Sequence, residues 1–76
     1  MFQKKIFADR LKNLRTERNL SMSTLATGIG LKSKGAINQF EKCLNLPSVD
    51  TLISIADYFD VSLDYLVGRS DDRNRK

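Results

Sequence analysis

Leu20-Ser21-Met22-Ser23-Thr24-Leu25-Ala26-Thr27-Gly28-Ile29-Gly30-Leu31-Lys32-Ser33-Lys34-Gly35-Ala36-Ile37-Asn38-Gln39-Phe40-Glu41 is the stretch on which the fold turns. Ser21 is a good N-cap, because its hydroxyl can accept from a free N–H of the first helical turn. Leu25, Ala26 and Ile29 then make an apolar face. Gly30 stops that helix, since glycine enters the left-handed region without a Cβ penalty. A second helix is expected from Ser33 or Lys34 to about Cys43. Two helices crossing through so short a turn need a small residue where they touch, and Ala26 stands four residues before the glycine. Leu25, Ile29, Leu31, Ile37 and Phe40 are spaced to lock the pair. A glycine-turned helical hairpin occurs in many helical proteins, so this much fixes local structure and not function.

The second of these helices carries chemistry. At about 100° per residue with Lys34 at zero, Asn38 falls near 40°, Lys42 near 80°, Gly35 near 100° and Gln39 near 140°. Ala36, Phe40 and Ile37 fall on the other side, at about 200°, 240° and 300°. One contiguous face therefore holds Lys, Asn, Lys, Gly and Gln without an acid. Lysine donates to guanine, and asparagine or glutamine pairs with adenine, along the major groove of a duplex. A solvated face is the alternative for such residues, but solvated faces commonly mix in Glu and Asp.

Outward from this segment the chain continues to read as helix. Phe7, Leu11 and Leu14 recur at helical spacing and define a first helix over about 6–18. Leu44-Asn45-Leu46-Pro47 is a loop, because the residue before proline avoids helical geometry. Ser48 caps a fourth helix whose buried face is expected to hold Val49, Leu52, Ile53, Ala56 and Phe59. After a tight link at Asp60-Val61, Ser62 caps a short fifth helix ended by Gly68. Residues 69–76 are polar and are expected to fray as a flexible tail beyond a single domain over 1–68. Helices this short must share one core. Its expected members are Phe7, Leu11, Leu14, Leu20, Leu25, Ala26, Ile29, Leu31, Ile37, Phe40, Leu52, Ile53, Ala56, Phe59, Val61, Leu63 and Leu66.

Composition narrows function by exclusion. The chain has 76 residues, enough for one domain. Its 41% hydrophobic and 29% charged content is a globular balance. No apolar run approaches the roughly 18 residues of a membrane span, and the N-terminal residues turn charged too soon for a signal-peptide core. With no histidine and Cys43 alone, the usual general base, the nucleophile triads and multi-cysteine metal sites are absent. We therefore expect no enzyme, cofactor, metal or small-molecule ligand, and a reducing cytoplasm as the compartment. Charge is uneven. Residues 1–46 carry Lys4, Lys5, Arg10, Lys12, Arg15, Arg18, Lys32, Lys34 and Lys42 against Asp9, Glu17 and Glu41. Residues 47–68 carry Asp50, Asp57, Asp60 and Asp64 and no base. The tail adds a small basic excess. A particle polarised in this way attracts a polyanion to one side.

Residues 7–68 resemble the helix-turn-helix domain of the phage repressor, Cro and Xre class. The residues that carry the likeness are Arg10-Leu11-Lys12-Asn13-Leu14-Arg15, Leu20-Ser21-Met22-Ser23-Thr24-Leu25-Ala26, Gly30-Leu31 and Ala36-Ile37-Asn38-Gln39-Phe40-Glu41. Pro47-Ser48-Val49-Asp50-Thr51-Leu52 and Val61-Ser62-Leu63-Asp64-Tyr65-Leu66-Val67-Gly68 complete it. The resemblance implies an all-α, five-helix lambda-repressor-like domain with its third helix in the major groove. It further implies base contacts from Lys34, Gly35 and Gln39, with Asn38 close by. Backbone contacts would come from Ser21, Met22, Lys32, Ser33, Lys42 and Asn45. Arg15 and Glu41 would pair, and two copies would meet through Leu63, Tyr65, Leu66 and Val67 at the end of the fifth helix. Such a homodimer reads a palindrome with half-sites about 34 Å apart.

This sequence departs from the family pattern in four places. The turn between Gly30 and Ile37 is one residue longer than the commonest spacing, Met22 stands where many members have Gln, and Gly35 where others carry a reading side chain. The loop Cys43-Leu44-Asn45-Leu46 is apolar where Lys or Arg is frequent, and Cys43 replaces a frequent glycine. The expected function is that of a sequence-specific, double-stranded DNA-binding transcriptional regulator, a repressor by analogy, of bacterial or phage origin. Its rivals are a protein-interaction or antitoxin-type module on the same scaffold, and non-specific polyanion binding.

Overall fold

The computed structural model describes residues 3–75, and Met1, Phe2 and Lys76 lie outside the described residues. All regular structure among them is helical: α1 (Lys4–Glu17), α2 (Met22–Gly28), α3 (Lys34–Glu41), α4 (Val49–Phe59) and α5 (Leu63–Leu66). No helix among them is long and apolar enough to cross a membrane. The expected serine caps Ser21, Ser48 and Ser62 are in place, and Ser33 caps α3 in the same way. Ser21, Ser33, Ser48 and Ser62 accept from the backbone N–H groups of Thr24, Gly35, Thr51 and Tyr65, respectively. Helix α1 begins earlier than the periodicity alone indicates and has no side-chain cap. The N–H of Gln3 donates to the carbonyl of Val67 at 3.0 Å, so the far end of the chain fixes where α1 starts.

One device ends all five helices. Asn19, Gly30, Cys43, Asp60 and Gly68 each adopt positive φ. The N–H of the residue after each returns to a carbonyl five residues back: Leu20 to Arg15, Leu31 to Ala26, Leu44 to Gln39, Val61 to Ala56 and Arg69 to Asp64. This satisfies carbonyls that a helix end leaves free. Only two of the five positions are glycine. Asn and Asp tolerate the conformation, whereas Cys43 at φ 61° carries the full Cβ penalty. Cys43→Gly should therefore raise the unfolding free energy by up to about 1 kcal/mol. Urea denaturation reads this directly. A loss of stability would show instead that the Sγ contact with the Lys4 carbonyl, at 3.9 Å, outweighs the strain.

The core gathers Phe7, Leu11 and Leu14 of α1, Leu25 and Ala26 of α2, Ile37 and Phe40 of α3, and Ile55, Ala56 and Phe59 of α4. Ile29, Val61, Tyr65 and Leu66 close it. Phe7 and Phe40 meet edge to face, with ring centroids 6.1 Å apart. The buried stripe of α4 differs from the expected one. Leu52, Ile55, Ala56 and Phe59 make the inward stripe, while Val49 is 70% and Ile53 41% exposed. Ile53 lies about 100° around the helix from Leu52, so it cannot share that stripe. Leu63, another expected core residue, is also 41% exposed. Ala8, Ile55 and Tyr65 take core positions that the periodicity did not assign.

Residues 69–75 do not lead away from the body. The Arg10 guanidinium lies 4.1 Å from the Tyr65 ring centroid. It donates to the carbonyls of Tyr65 and Ser70 and to Asp71. Arg73 also lies over that ring, at 5.4 Å, and donates to the Tyr65 hydroxyl. It forms a two-pronged pair with Glu17 at 2.6 and 3.0 Å. Ser62 N–H donates to the Arg73 carbonyl, and Arg75 reaches Asp57 at 2.6 Å. The polar composition that suggested a frayed tail supplies these bonds: Glu17 of α1 holds Arg73, and Asp57 and Asp60 hold Arg75.

A pH dependence follows. The Arg73 guanidinium holds the Glu17 carboxyl below its ordinary value of 4.5. A depressed carboxylate contributes stability above its unfolded pKa and loses it as pH falls through the folded one. Protection of the Ser62 amide, taken as its exchange rate relative to the intrinsic one, should accordingly fall as pH drops below about 4.5. Glu17→Gln should remove that step, and an unchanged step in the variant would show that another group controls it.

Candidate nucleic-acid interface

Helices α2 and α3 cross through residues 29–33, and the crossing has a local cause. Gly30 sits at φ 82°. A Cβ there would meet open space, so the requirement is conformational rather than steric. The N–H of Leu31 returns to the carbonyl of Ala26 at 2.8 Å, closing α2 over the small residue expected at the contact. Ser33 then accepts from Gly35 N–H at 3.0 Å and starts α3.

Ile37 and Phe40 turn inward, 0% and 5% exposed, and hold α3 against α1 and α2. That leaves Lys34, Gly35, Gln39 and Lys42 exposed and Asn38 half-buried, on one side of the helix. Lys32 and Ser33 are exposed just before α3, and Asn45 just after it. Among the described residues no carboxylate pairs with Lys32, Lys34 or Lys42, whereas Arg10, Arg73 and Arg75 are all engaged.

The one carboxylate of α3 is withdrawn from this face. Glu41 meets Arg15 in a two-pronged pair, Nε to Oε2 at 2.6 Å and Nη2 to Oε1 at 3.0 Å. The remaining Nη1 of Arg15 donates to the Leu20 carbonyl at 2.9 Å. The side chains are 13% and 4% exposed. The carboxylate holds the Arg15 guanidinium above its ordinary pKa. The pair ties α1 to α3 and to the residue that leads into α2. It also leaves the outward face of α3 with lysines, amides and no counter-charge.

Other expected contacts are placed differently from one another. Ser21 is exposed, but its hydroxyl accepts from Thr24 N–H and donates to the Thr24 hydroxyl. The Met22 side chain packs against the core, so what it can offer a phosphate is main chain. Asn45 and Gln39 are brought together, with Nδ2 donating to Oε1 at 3.4 Å. Of the four residues expected at a contact between two copies, two are spent inside. Leu66 is 0% and Tyr65 9% exposed, because α5 is too short to serve the core without them. Leu63 is exposed and Val67 half-buried. Further exposed apolar residues are Ile6 in α1, Leu44 and Leu46 in the loop after α3, and Val49 and Ile53 one turn apart on α4. The apolar composition of the loop was the signal for Leu44 and Leu46.

The family described as Helix-turn-helix has a model that matches residues 11–66. The chain is 35% identical over 71 residues to the uncharacterized HTH-type transcriptional regulator YobD of Bacillus subtilis (strain 168), covering 93% of this chain and 62% of that protein. It is 30% identical over 66 residues to the cryptic phage CTXphi transcriptional repressor RstR of Vibrio cholerae, covering 87% of this chain and 59% of that one. The chain thus spans about three fifths of the length of these curated relatives. Among solved structures, the P22 c2 repressor in complex with synthetic operator 9T superposes with a TM-score of 0.79 at 23% identity, over 86% of this chain and 97% of that one. That likeness concerns the fold.

Proposed function

This chain belongs to the helix-turn-helix family, and from that premise we propose that it is a sequence-specific duplex-DNA-binding transcriptional regulator that acts as a repressor. The observation that carries the reading is the outward face of α3. Lys34, Gly35, Gln39 and Lys42 are exposed together, and the helix's only acid is turned inward onto Arg15. Lys34, Gly35 and Gln39, with Asn38 beside them, meet base edges. Lys32, Ser33, Lys42, Asn45 and the Ser21–Met22 start of α2 meet phosphates. The relatives described as a transcriptional regulator and a transcriptional repressor support the regulatory role.

One recognition helix reads few base pairs, so two copies act on one operator. The burial of Tyr65 and Leu66 moves their contact away from the core of α5. The exposed Leu44, Leu46, Val49 and Ile53 supply apolar surface next in sequence to Lys42 and Asn45, so a second copy seated there stands beside the same duplex. In-vitro selection from random duplexes at about 150 mM salt tests the reading, since non-specific phosphate binding is weakened there. Enrichment of a palindrome with half-site centres about 34 Å apart is expected. Recovery of unselected sequence at the input frequency would contradict it.

A further inference from the structure

A side-chain amide has two ends that differ only in whether they accept or donate. Glutamine on a recognition helix can turn either end outward, because its last torsion is broad and nearly two-fold. Here that choice is made by neighbours. The carbonyl of Gln39 accepts from Leu44 N–H at 2.9 Å where α3 closes, which brings the following loop back beside the Gln39 side chain. In that loop Leu46 N–H donates to Asn45 Oδ1 at 2.9 Å. A backbone N–H can only donate, so the oxygen end of Asn45 is committed to it. The other end, Nδ2, can also only donate, and it donates to Gln39 Oε1 at 3.4 Å. The oxygen of Gln39 is thereby turned toward the loop, and its Nε2 is the end left for a ligand.

We infer that Asn45 is a positioning residue that sets Gln39 as a hydrogen-bond donor, so that the base facing Gln39 is guanine rather than adenine. Guanine shows two acceptors, O6 and N7, along the major groove. Adenine shows one acceptor and one donor, and its two-pronged pairing with glutamine needs the oxygen that Asn45 holds. The inference rests on the reading that α3 enters the major groove, and goes beyond it by naming the base and the residue that selects it.

Parallel selections with the wild-type chain, Gln39→Ala, Asn45→Ala and Asn45→Asp test it. The position read by Gln39 is the one whose preference Gln39→Ala erases. Wild type should favour guanine there over adenine by about tenfold, near the lower end of what base-edge contacts give. Asn45→Ala frees the amide, and adenine should become as acceptable as guanine at that position alone. Asn45→Asp can still accept from Leu46 N–H but has nothing to donate, so it should capture Gln39 Nε2 and turn Oε1 outward. The preference should then move to bases that present an amino group, adenine or cytosine. The added negative charge weakens all sequences alike, so only ratios among bases within one variant are read. Retained preferences at the remaining positions report that each variant is folded. Adenine in the wild-type site, or an unchanged preference in both Asn45 variants, would overturn the inference while leaving DNA reading intact. So would the absence of any position that responds to Gln39→Ala. Failure of the wild-type chain to enrich any sequence would bring down DNA reading itself, and this inference with it.

Discussion

Glu41→Ala should destabilise the folded chain by about 3–5 kcal/mol, the cost of stranding one member of a buried ion pair. Arg15 is 13% exposed and makes three hydrogen bonds, two of them to Glu41. With Glu41 gone, a desolvated guanidinium keeps only the Leu20 carbonyl. It cannot escape by losing its proton, since arginine stays charged at any accessible pH. Replacing both partners by apolar residues, Arg15→Met with Glu41→Leu, should recover most of the loss, because no charge is then left unpaired. Urea unfolding of the wild-type chain and these two variants measures this. A single-mutant loss below about 1 kcal/mol, the value of an exposed pair, would show that water reaches the site. The pair fixes α3 against α1, so Glu41→Ala should also weaken duplex binding although Glu41 does not face the duplex.

The second large effect concerns binding. Lys34→Ala should cost about 1–3 kcal/mol of duplex affinity and relax the preference at one base position. Lys34 opens α3, is exposed and has no carboxylate partner among the described residues, so its ammonium is free to meet a base edge. Lys42→Ala should behave differently. It should weaken all sequences similarly and reduce the slope of log affinity against log salt by about one, the mark of a lost phosphate contact. Titrations at several salt concentrations separate the two. Identical behaviour of the two variants would mean that both lysines act through charge alone, and that α3 does not read sequence.

The parts of this molecule that depend on neighbours in sequence were legible before any coordinates. The serine caps, the glycine turn and the Ile37–Phe40 side of α3 follow from local geometry, and so does the outward set Lys34, Gly35, Gln39 and Lys42. What distant residues decide was not legible. Val49 and Ile53 are as apolar as Ile55, and only the position of the core tells which of them is covered. Tyr65 looked available for a partner, and Leu66 was expected both in the core and at a contact, but α5 is a single turn and needs both to close the core. The left-handed ends at Asn19 and Cys43 have no glycine to announce them. The tail's contacts depend on Glu17, Asp57 and Asp60 meeting arginines that follow them by many residues. The amide relay from Leu46 through Asn45 to Gln39 was hidden for the same reason, since nothing in the composition of the loop orients a side-chain amide.

The central claim is that the acid-free side of α3 enters a groove of duplex DNA. Backbone amide chemical shifts, followed as a selected duplex is added to the isotopically labelled chain, test it most directly. The largest changes should fall on Ser33, Lys34, Gly35, Asn38, Gln39 and Lys42, with a second set at Ser21 and Met22, and an equal excess of scrambled duplex should not reverse them. Changes confined to α4, α5 and residues 69–75, or full reversal by the scrambled duplex, would contradict the account.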